Sequence, residues 1–185
     1  MSDLGSEPIA ASDLGSEPIA ASEPIAESDA GGLVIRDAAA ADLAAVVALY
    51  ADDILGATRE SPDEPLDPGY RRGFDAVAAD PRNRLLVAEL DGVVVGTLQL
   101  TWIPGVSRHG AERALIEAVH VASELRGRGV GRRLATHAIG EAAARGCALV
   151  QLTSDLRRPD AHRFWQSLGF EPSHVGMKLV FEARH

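Results

Sequence analysis

One run in this chain has residue types and spacing that can do chemistry: Arg126-Gly127-Arg128-Gly129-Val130-Gly131. An apolar, strand-like segment, Ala114 to Val121, leads into it, and a helix-like segment, Arg132 to Ala144, leads out. A glycine-rich turn between strand and helix lets backbone N–H groups converge on an anion, and the helix N-terminus adds partial positive charge there. The arginines inside the turn add full charges. The physical expectation is a cradle for a pyrophosphate, and the bland alternative is a tight connection. Two familiar nucleotide patterns are excluded. The dinucleotide fingerprint needs G-x-G-x-x-G, whereas Gly127, Gly129 and Gly131 are spaced by two. The phosphate loop of nucleotide hydrolases needs Gly-Lys-Ser/Thr, which is absent.

The elements that must position this run follow from periodicity and turn signals. Leu33 to Arg36 reads as a strand. Asp42 to Asp52 reads as an amphipathic helix, with Leu43, Val46, Val47 and Tyr50 at helical spacing. Ile54 to Pro68 is polar and proline-rich and reads as a loop, followed by a short helix from Gly69 to Ala79. Leu85 to Leu90 and Val93 to Trp102 are strands around the hairpin turn Asp91-Gly92. Cys147 to Thr153 is a further apolar strand. Strands that pair early and then alternate with helices predict a mixed α/β sheet.

Composition fits one folded domain at residues 33–185. A chain of 185 residues can bury a full core. No apolar run approaches the roughly 18 residues needed to span a bilayer. An acidic N-terminus without an apolar core argues against a secretory signal, so a cytoplasmic location is the default expectation. The net charge of −9 is concentrated in residues 2–29, which hold seven acids and no base; removing them leaves −2. The domain thus lacks the broad basic field that nucleic acid requires. Its arginines cluster instead, at Arg126, Arg128, Arg132 and Arg133, and at Arg157 and Arg158. Such clusters suit a small phosphorylated cofactor. Residues 1–32 read as a disordered acidic tail, because SDLGSEPIAA occurs twice and is followed by a shortened copy, SEPIAESD. The single Cys147 excludes an internal disulfide and reads as a buried apolar residue.

The spacing Arg-x-x-Gly-x-Gly at Arg126 to Gly131 resembles motif A of the GNAT superfamily, the acyl-CoA-dependent N-acyltransferases. The later segment Ala161-His162-Arg163-Phe164-Trp165-Gln166-Ser167-Leu168-Gly169-Phe170 resembles the family pattern A-x-x-F-Y-x-x-x-G-F. The resemblance covers roughly residues 33 to 182. It is similar in detail to a bacterial subset of unassigned substrate, through Ala51 to Gly56, Leu98 to Thr101, and Ser173-His174 followed by Gly176-Met177-Lys178. It implies a mixed α/β fold: a central, twisted, mostly antiparallel sheet with two splayed parallel strands, flanked by about four helices. The parallel strands would be Ala114–Val121 and Cys147–Thr153, with the acyl thioester in the gap between them. It implies acetyl-CoA as cosubstrate and no metal. It also implies contacts from Val119, His120, Val121, Arg126, Gly127, Arg128, Gly129, Val130, Gly131, Arg132 and Phe164 to that cosubstrate. Many relatives pair through late strands, so a homodimer is consistent with it.

Acetyl transfer to an amine needs a neutral amine, a hydrogen-bond donor for the carbonyl oxygen as it becomes anionic, and a fate for the thiolate. Glu117, inside the apolar run LIEAV, is the candidate base, acting through water; the alternative is a structural ion pair with Arg113 or Arg84. His120, three residues on, points to the opposite face in a regular strand and reads as a packed histidine, unless a bulge intervenes. Trp165 stands where the family carries a tyrosine that protonates the thiolate, and an indole N–H has no accessible acidic pKa. Ser154, His162 or water are the substitutes, or the thiolate departs unassisted. Of the aromatic pair, Phe164 is the expected core residue. Asp52, Asp53, Arg59 and Glu60, with Trp102 to His109, lie where the acceptor would bind; for any one of them a solvated loop residue is the simpler expectation. The leading function is N-acetyltransfer to a small-molecule amine by direct attack. The alternatives are a protein N-acetyltransferase and an acetyl-CoA-binding regulatory module with little catalysis.

Overall fold

Five strands form one sheet in sequence order in a computed structural model of the chain, which describes residues 32–53 and 56–181. They are β1 (Leu33–Asp37), β2 (Asn83–Leu90), β3 (Val93–Ile103), β4 (Arg113–Val121) and β5 (Leu149–Leu152). The helices are α1 (Leu43–Ala51), α2 (Pro68–Ala79), the single turn α3 (Ser107–Gly110), α4 (Val130–Ala144) and α5 (Pro159–Gln166). The repeat-bearing N-terminal stretch and Ile54-Leu55 lie outside the described residues. No helix among the described residues is long and apolar enough to cross a membrane.

The turn chemistry sets the first half of the sheet. Asp91 and Gly92 both take positive φ, 51° and 81°, as a two-residue hairpin with matching twist requires. β2 and β3 therefore pair antiparallel, from Leu90↔Val93 to Asn83↔Thr101. β1 adds antiparallel to β2 and β4 adds antiparallel to β3. β5 then joins β4 in parallel, and its four residues make it shorter than the sequence suggests. The fold class is the mixed α/β one expected.

Alternation along these strands buries both faces. Leu86, Leu98, Leu100 and Ile116 share one face and are fully buried. α4 covers that face with Leu134, Ala138 and Ala142, one turn apart and all at 0% exposure. Small residues at the helical period let the helix axis approach the sheet closely. Gly96 completes the fit: a Cβ there would stand 3.0 Å from Leu134 Cδ1 and 3.3 Å from the His120 carbonyl oxygen. The opposite face carries Val87 and Thr97, and α1 supplies Val46 and Val47 to the core. α4 is thus pinned to the sheet from its first turn, which fixes the loop that precedes it.

Candidate active site

The parallel pairing of β4 with β5 stops early. It runs from Arg113↔Leu149 to Ile116↔Leu152 and ends there, while β4 continues to Val121. From Glu117 onward the β5-facing edge of β4 has no strand beside it. The two strands splay at the point where the thioester was expected.

A bulge changes which side chains face this opening. The β3–β4 ladder pairs Thr97 with His120 and Gln99 with Glu117, so one extra residue sits on β4 between them. Ala118 absorbs it with a φ of 49°. Thr97 and Gln99 are two apart and share a face, so His120 and Glu117 share that face too. The opposite facing expected for a regular strand does not occur. Glu117 is exposed, so its carboxylate carries little of the burial cost that its place in the apolar run LIEAV suggested. Arg84 does not partner it either, since that guanidinium is bonded to Asp37 and Glu141.

His120 is half-buried, with its ring edge-on to Tyr50 at 5.1 Å between centroids. Burial lowers its pKa first, and Arg158, Arg126 and Arg59 oppose its protonation further, against an opposing pull from Asp53. The imidazole is thereby biased to the neutral form. Tyr50 is pushed up to about 12 by burial, so its hydroxyl stays protonated. The Thr97 hydroxyl donates to the Leu86 carbonyl at 3.0 Å and also engages the Tyr50 hydroxyl. In sequence, Tyr50 carries only the signal of an apolar helix position, so its place at the site was not legible.

The glycine-rich run is a loop into α4. Ser123–Leu125 form a 3-10 turn after β4. Gly127 and Gly129 then take φ of 77° and 85°, a backbone that side-chain-bearing residues adopt only with strain. Gly129 caps α4 and supplies no side-chain acceptor for its first N–H groups. This fits an anion in the way the run predicts. Arg128 is exposed, and its backbone N–H donates to the Leu125 carbonyl at 3.2 Å. Arg132 donates to the Ser167 hydroxyl at 2.7 Å. Arg126 is turned inward, donating to the Val121 carbonyl at 3.1 Å and to Asp52. A Cβ on Gly131 would stand 3.6 Å from Val121 and 3.8 Å from the Phe164 ring, so Phe164 borders this loop.

Two acids bind the end of α1 to this machinery. Asp52 accepts the Ser123 N–H at 2.8 Å, and Asp53 is paired with Arg158 just ahead of α5. The simple expectation of solvated loop carboxylates is corrected on both counts. The aromatic pair is also reversed: Trp165 is the core residue, at 8% exposure, edge-on to Phe164 and to Phe170. Phe164 is half-buried. His162 is tied through Nε2 to the Asp155 carbonyl at 2.9 Å. Ser154 is half-buried just past β5. Burial pushes the Cys147 thiol up, so its reactive thiolate is disfavoured. No group of histidines, cysteines and acids able to hold a metal occurs among the described residues. A separate cavity of about 410 Å³ lies at the far end of α4, lined by Phe74, Trp102 and Arg145 among others.

Comparison with known proteins agrees with this geometry. The model of the acetyltransferase (GNAT) family matches residues 34–170. The aminoalkylphosphonate N-acetyltransferase of Salmonella typhimurium is 32% identical over 105 residues, covering 57% of this chain and 68% of that protein. The L-methionine sulfoximine/L-methionine sulfone acetyltransferase of Pseudomonas paraeruginosa is 29% identical over 151 residues, covering 78% and 86% respectively. A solved structure described as a transcriptional regulator from Bacillus halodurans superposes with a TM-score of 0.79 at 44% identity, covering 80% of this chain and 99% of that one. A strand gap beside a glycine-capped helix, matched by the family model over most of the domain, makes this chain a member of the GNAT family, an acetyl-CoA-dependent N-acetyltransferase.

Proposed function

We propose that the chain acetylates the primary amine of a small molecule that also carries an anionic group. The observation that carries this reading is the shared face of Glu117 and His120 at the open end of β4, with guanidiniums close by. Glu117 suits the ammonium form of an amine. Arg59 and Arg158, paired with Glu60 and Asp53, oppose protonation of His120 and add positive charge on its side of the site. The names of two relatives, an aminoalkylphosphonate N-acetyltransferase and a methionine sulfoximine/sulfone acetyltransferase, point to small-molecule acceptors.

In this reading the catalytic domain is residues 33–185, and residues 1–32 take no part in catalysis. Acetyl-CoA supplies an activated acetyl thioester. The N–H groups of Gly127 and of Gly129 to Arg132, with the Arg128 guanidinium, hold its pyrophosphate. The backbone of Val119, His120 and Val121 lines the pantetheine, with Phe164 beside the loop. Glu117 takes the proton from the acceptor amine through water. The amine then attacks directly, with no covalent acyl-enzyme. Trp165 gives no proton, because it is held in the aromatic core. Ser154, just past the splayed end of β5, is the hydroxyl assigned to the departing sulfur. Nucleic acid and membrane have no part in the reading, the setting is the cytoplasm, and the working unit is a homodimer.

The test is thiol release from acetyl-CoA across a panel of amines. The panel holds aminoalkylphosphonates, methionine sulfoximine, amino acids, polyamines, aminoglycosides and short peptides. Release with an anion-bearing small amine, lost in Glu117→Gln, is the expected result. Release confined to peptides overturns the acceptor class. Binding of acetyl-CoA with no amine-dependent release overturns the enzymatic reading in favour of a binding module.

A further inference from the structure

Trp102, near the end of β3, is 7% exposed, and its indole N–H is buried without a hydrogen-bond partner. Among the described residues one other buried side-chain atom is in that state, Glu141 Oε2. It lies at the same end of the molecule: Glu141 is bonded to Arg84 on β2 and stands one turn ahead of Arg145 at the end of α4. Buried polar groups in folded proteins nearly always find partners, so an unused donor and an unused acceptor at one end call for an explanation.

Trp102 lines the cavity at the far end of α4, whose volume of about 410 Å³ is that of a small-molecule site. The phosphate loop caps the other end of the same helix, and fifteen helical residues span about 22 Å, so the two places are distinct. Phe74, Val77 and Leu85 give the cavity an apolar surface. The charges on its wall are already matched: Asp37 with Arg84, Asp80 with Arg82, and Arg145 with Glu112. An ion would have to break into one of these pairs, whereas an uncharged ligand disturbs none. An indole N–H can only donate, so the ligand must offer an acceptor. Asp37 accepts from Arg84 through Oδ1 at 2.7 Å, which leaves its second oxygen for an N–H donor. A carboxamide carries both groups.

We propose that this cavity binds an uncharged small molecule bearing a carboxamide. Its carbonyl takes the Trp102 N–H, its N–H reaches Asp37, and its apolar body lies against Phe74, Val77 and Leu85. The Arg145 guanidinium covers the indole face, 4.5 Å from the ring centroid, on a side chain that is 41% exposed. It is the movable part of the wall and turns aside to admit the carbonyl to Nε1. This inference goes beyond the catalytic reading and does not rest on the acceptor's identity.

The test uses the full chain, isotope-labelled at nitrogen, with benzamide as the probe. The indole N–H resonances of Trp102 and Trp165 are followed by NMR. Benzamide is expected to move the Trp102 resonance to saturation, to leave that of Trp165 in place, and to do so equally with CoA bound. No saturable movement, movement of Trp165 instead, or competition by CoA overturns the proposal. Toluene, which lacks the amide, and benzoate, which is charged, are expected to bind about tenfold more weakly. Equal binding of either one overturns the carboxamide assignment. Trp102→Phe keeps an aromatic wall and removes the N–H. Checked for folding by circular dichroism, it is expected to weaken benzamide about tenfold, read from the probe's own resonances. Unchanged affinity overturns the role of the indole. Ala78→Phe, at an exposed position on the wall, is expected to fill the cavity and abolish binding. A folded variant that binds benzamide as wild type does places the probe elsewhere and overturns the proposal too.

Discussion

Arg126 reaches Asp52 through two bonds, to its backbone carbonyl at 2.7 Å and to its carboxylate at 3.2 Å. Asp52 closes α1, and Arg126 opens the glycine-rich run, so the acceptor-side helix and the phosphate loop share one fastening. The carboxylate also holds the Ser123 N–H. Asp52→Ala is expected to raise KM for acetyl-CoA about tenfold, the equivalent of 1.4 kcal/mol. Because the pair is partly exposed, the loss of global stability is expected to stay near 1 kcal/mol. Steady-state kinetics beside a denaturant titration separates the two. An unchanged KM would mean that the fastening does not shape the loop.

Glu117→Gln keeps the side chain's shape and removes its basicity. General base catalysis contributes roughly 10²–10⁴-fold, and kcat is expected to fall within that range. The side chain is exposed, so Tm is expected to stay within experimental scatter of wild type. A kcat retained within twofold would remove Glu117 from the mechanism.

His120 carries a pH signature whose direction follows from its surroundings. Its folded pKa lies below the ordinary 6.5, chiefly through burial. The unfolded chain therefore takes up a proton at a higher pH than the folded one, and stability falls as pH drops from 6.5 toward the folded pKa. His120→Gln is expected to flatten that part of the stability profile, measured by urea titrations at successive pH values. Equal acid sensitivity in wild type and variant would refute the assignment.

Gly129 caps α4 with a φ of 85°, where a Cβ meets open space but strained backbone. Gly129→Ala is expected to cost about 1–2 kcal/mol of stability for the left-handed conformation. It should also weaken CoA affinity, because relaxing the strain turns the helix N–H groups away from the anion. Calorimetric titration with CoA checks this. Affinity unchanged alongside lowered stability would place the pyrophosphate elsewhere.

Trp165 packs edge-on against Phe164 and Phe170. Trp165→Ala is expected to cost about 3–5 kcal/mol by emptying a packed aromatic site. Trp165→Tyr is expected to leave the alkaline limb of kcat where it is in wild type, since the ring is committed to the core. A new ionisation in the pH–rate profile of that variant would show that the position does reach the sulfur.

Much of the scaffold was readable from local chemistry. Asp91-Gly92 announced its hairpin, the period of Val46 and Val47 announced α1, and the glycine-rich run announced the turn into α4. The site itself was less legible, because one extra residue in β4 decides it. The bulge at Ala118 puts Glu117 and His120 on one face, and alanine carries no local signal for a positive φ. Asp52 and Asp53 were equally opaque. Their partners Ser123, Arg126 and Arg158 lie about 70 to 105 residues away, and only the tertiary fold brings them together. Phe164 and Trp165 were read in the reverse order of burial, since a short helix can turn either ring inward.

The early end of the β4–β5 ladder has a thermodynamic consequence. Past Ile116 and Leu152 the sheet lacks a rung, and the backbone groups lining the slot must satisfy themselves with water. An extended amide-bearing arm laid there would complete the sheet much as another strand does. The cosubstrate is then a removable piece of the architecture. Its occupancy adds to folding free energy by mass action, so the protein's thermal midpoint becomes a gauge of the acetyl-CoA around it.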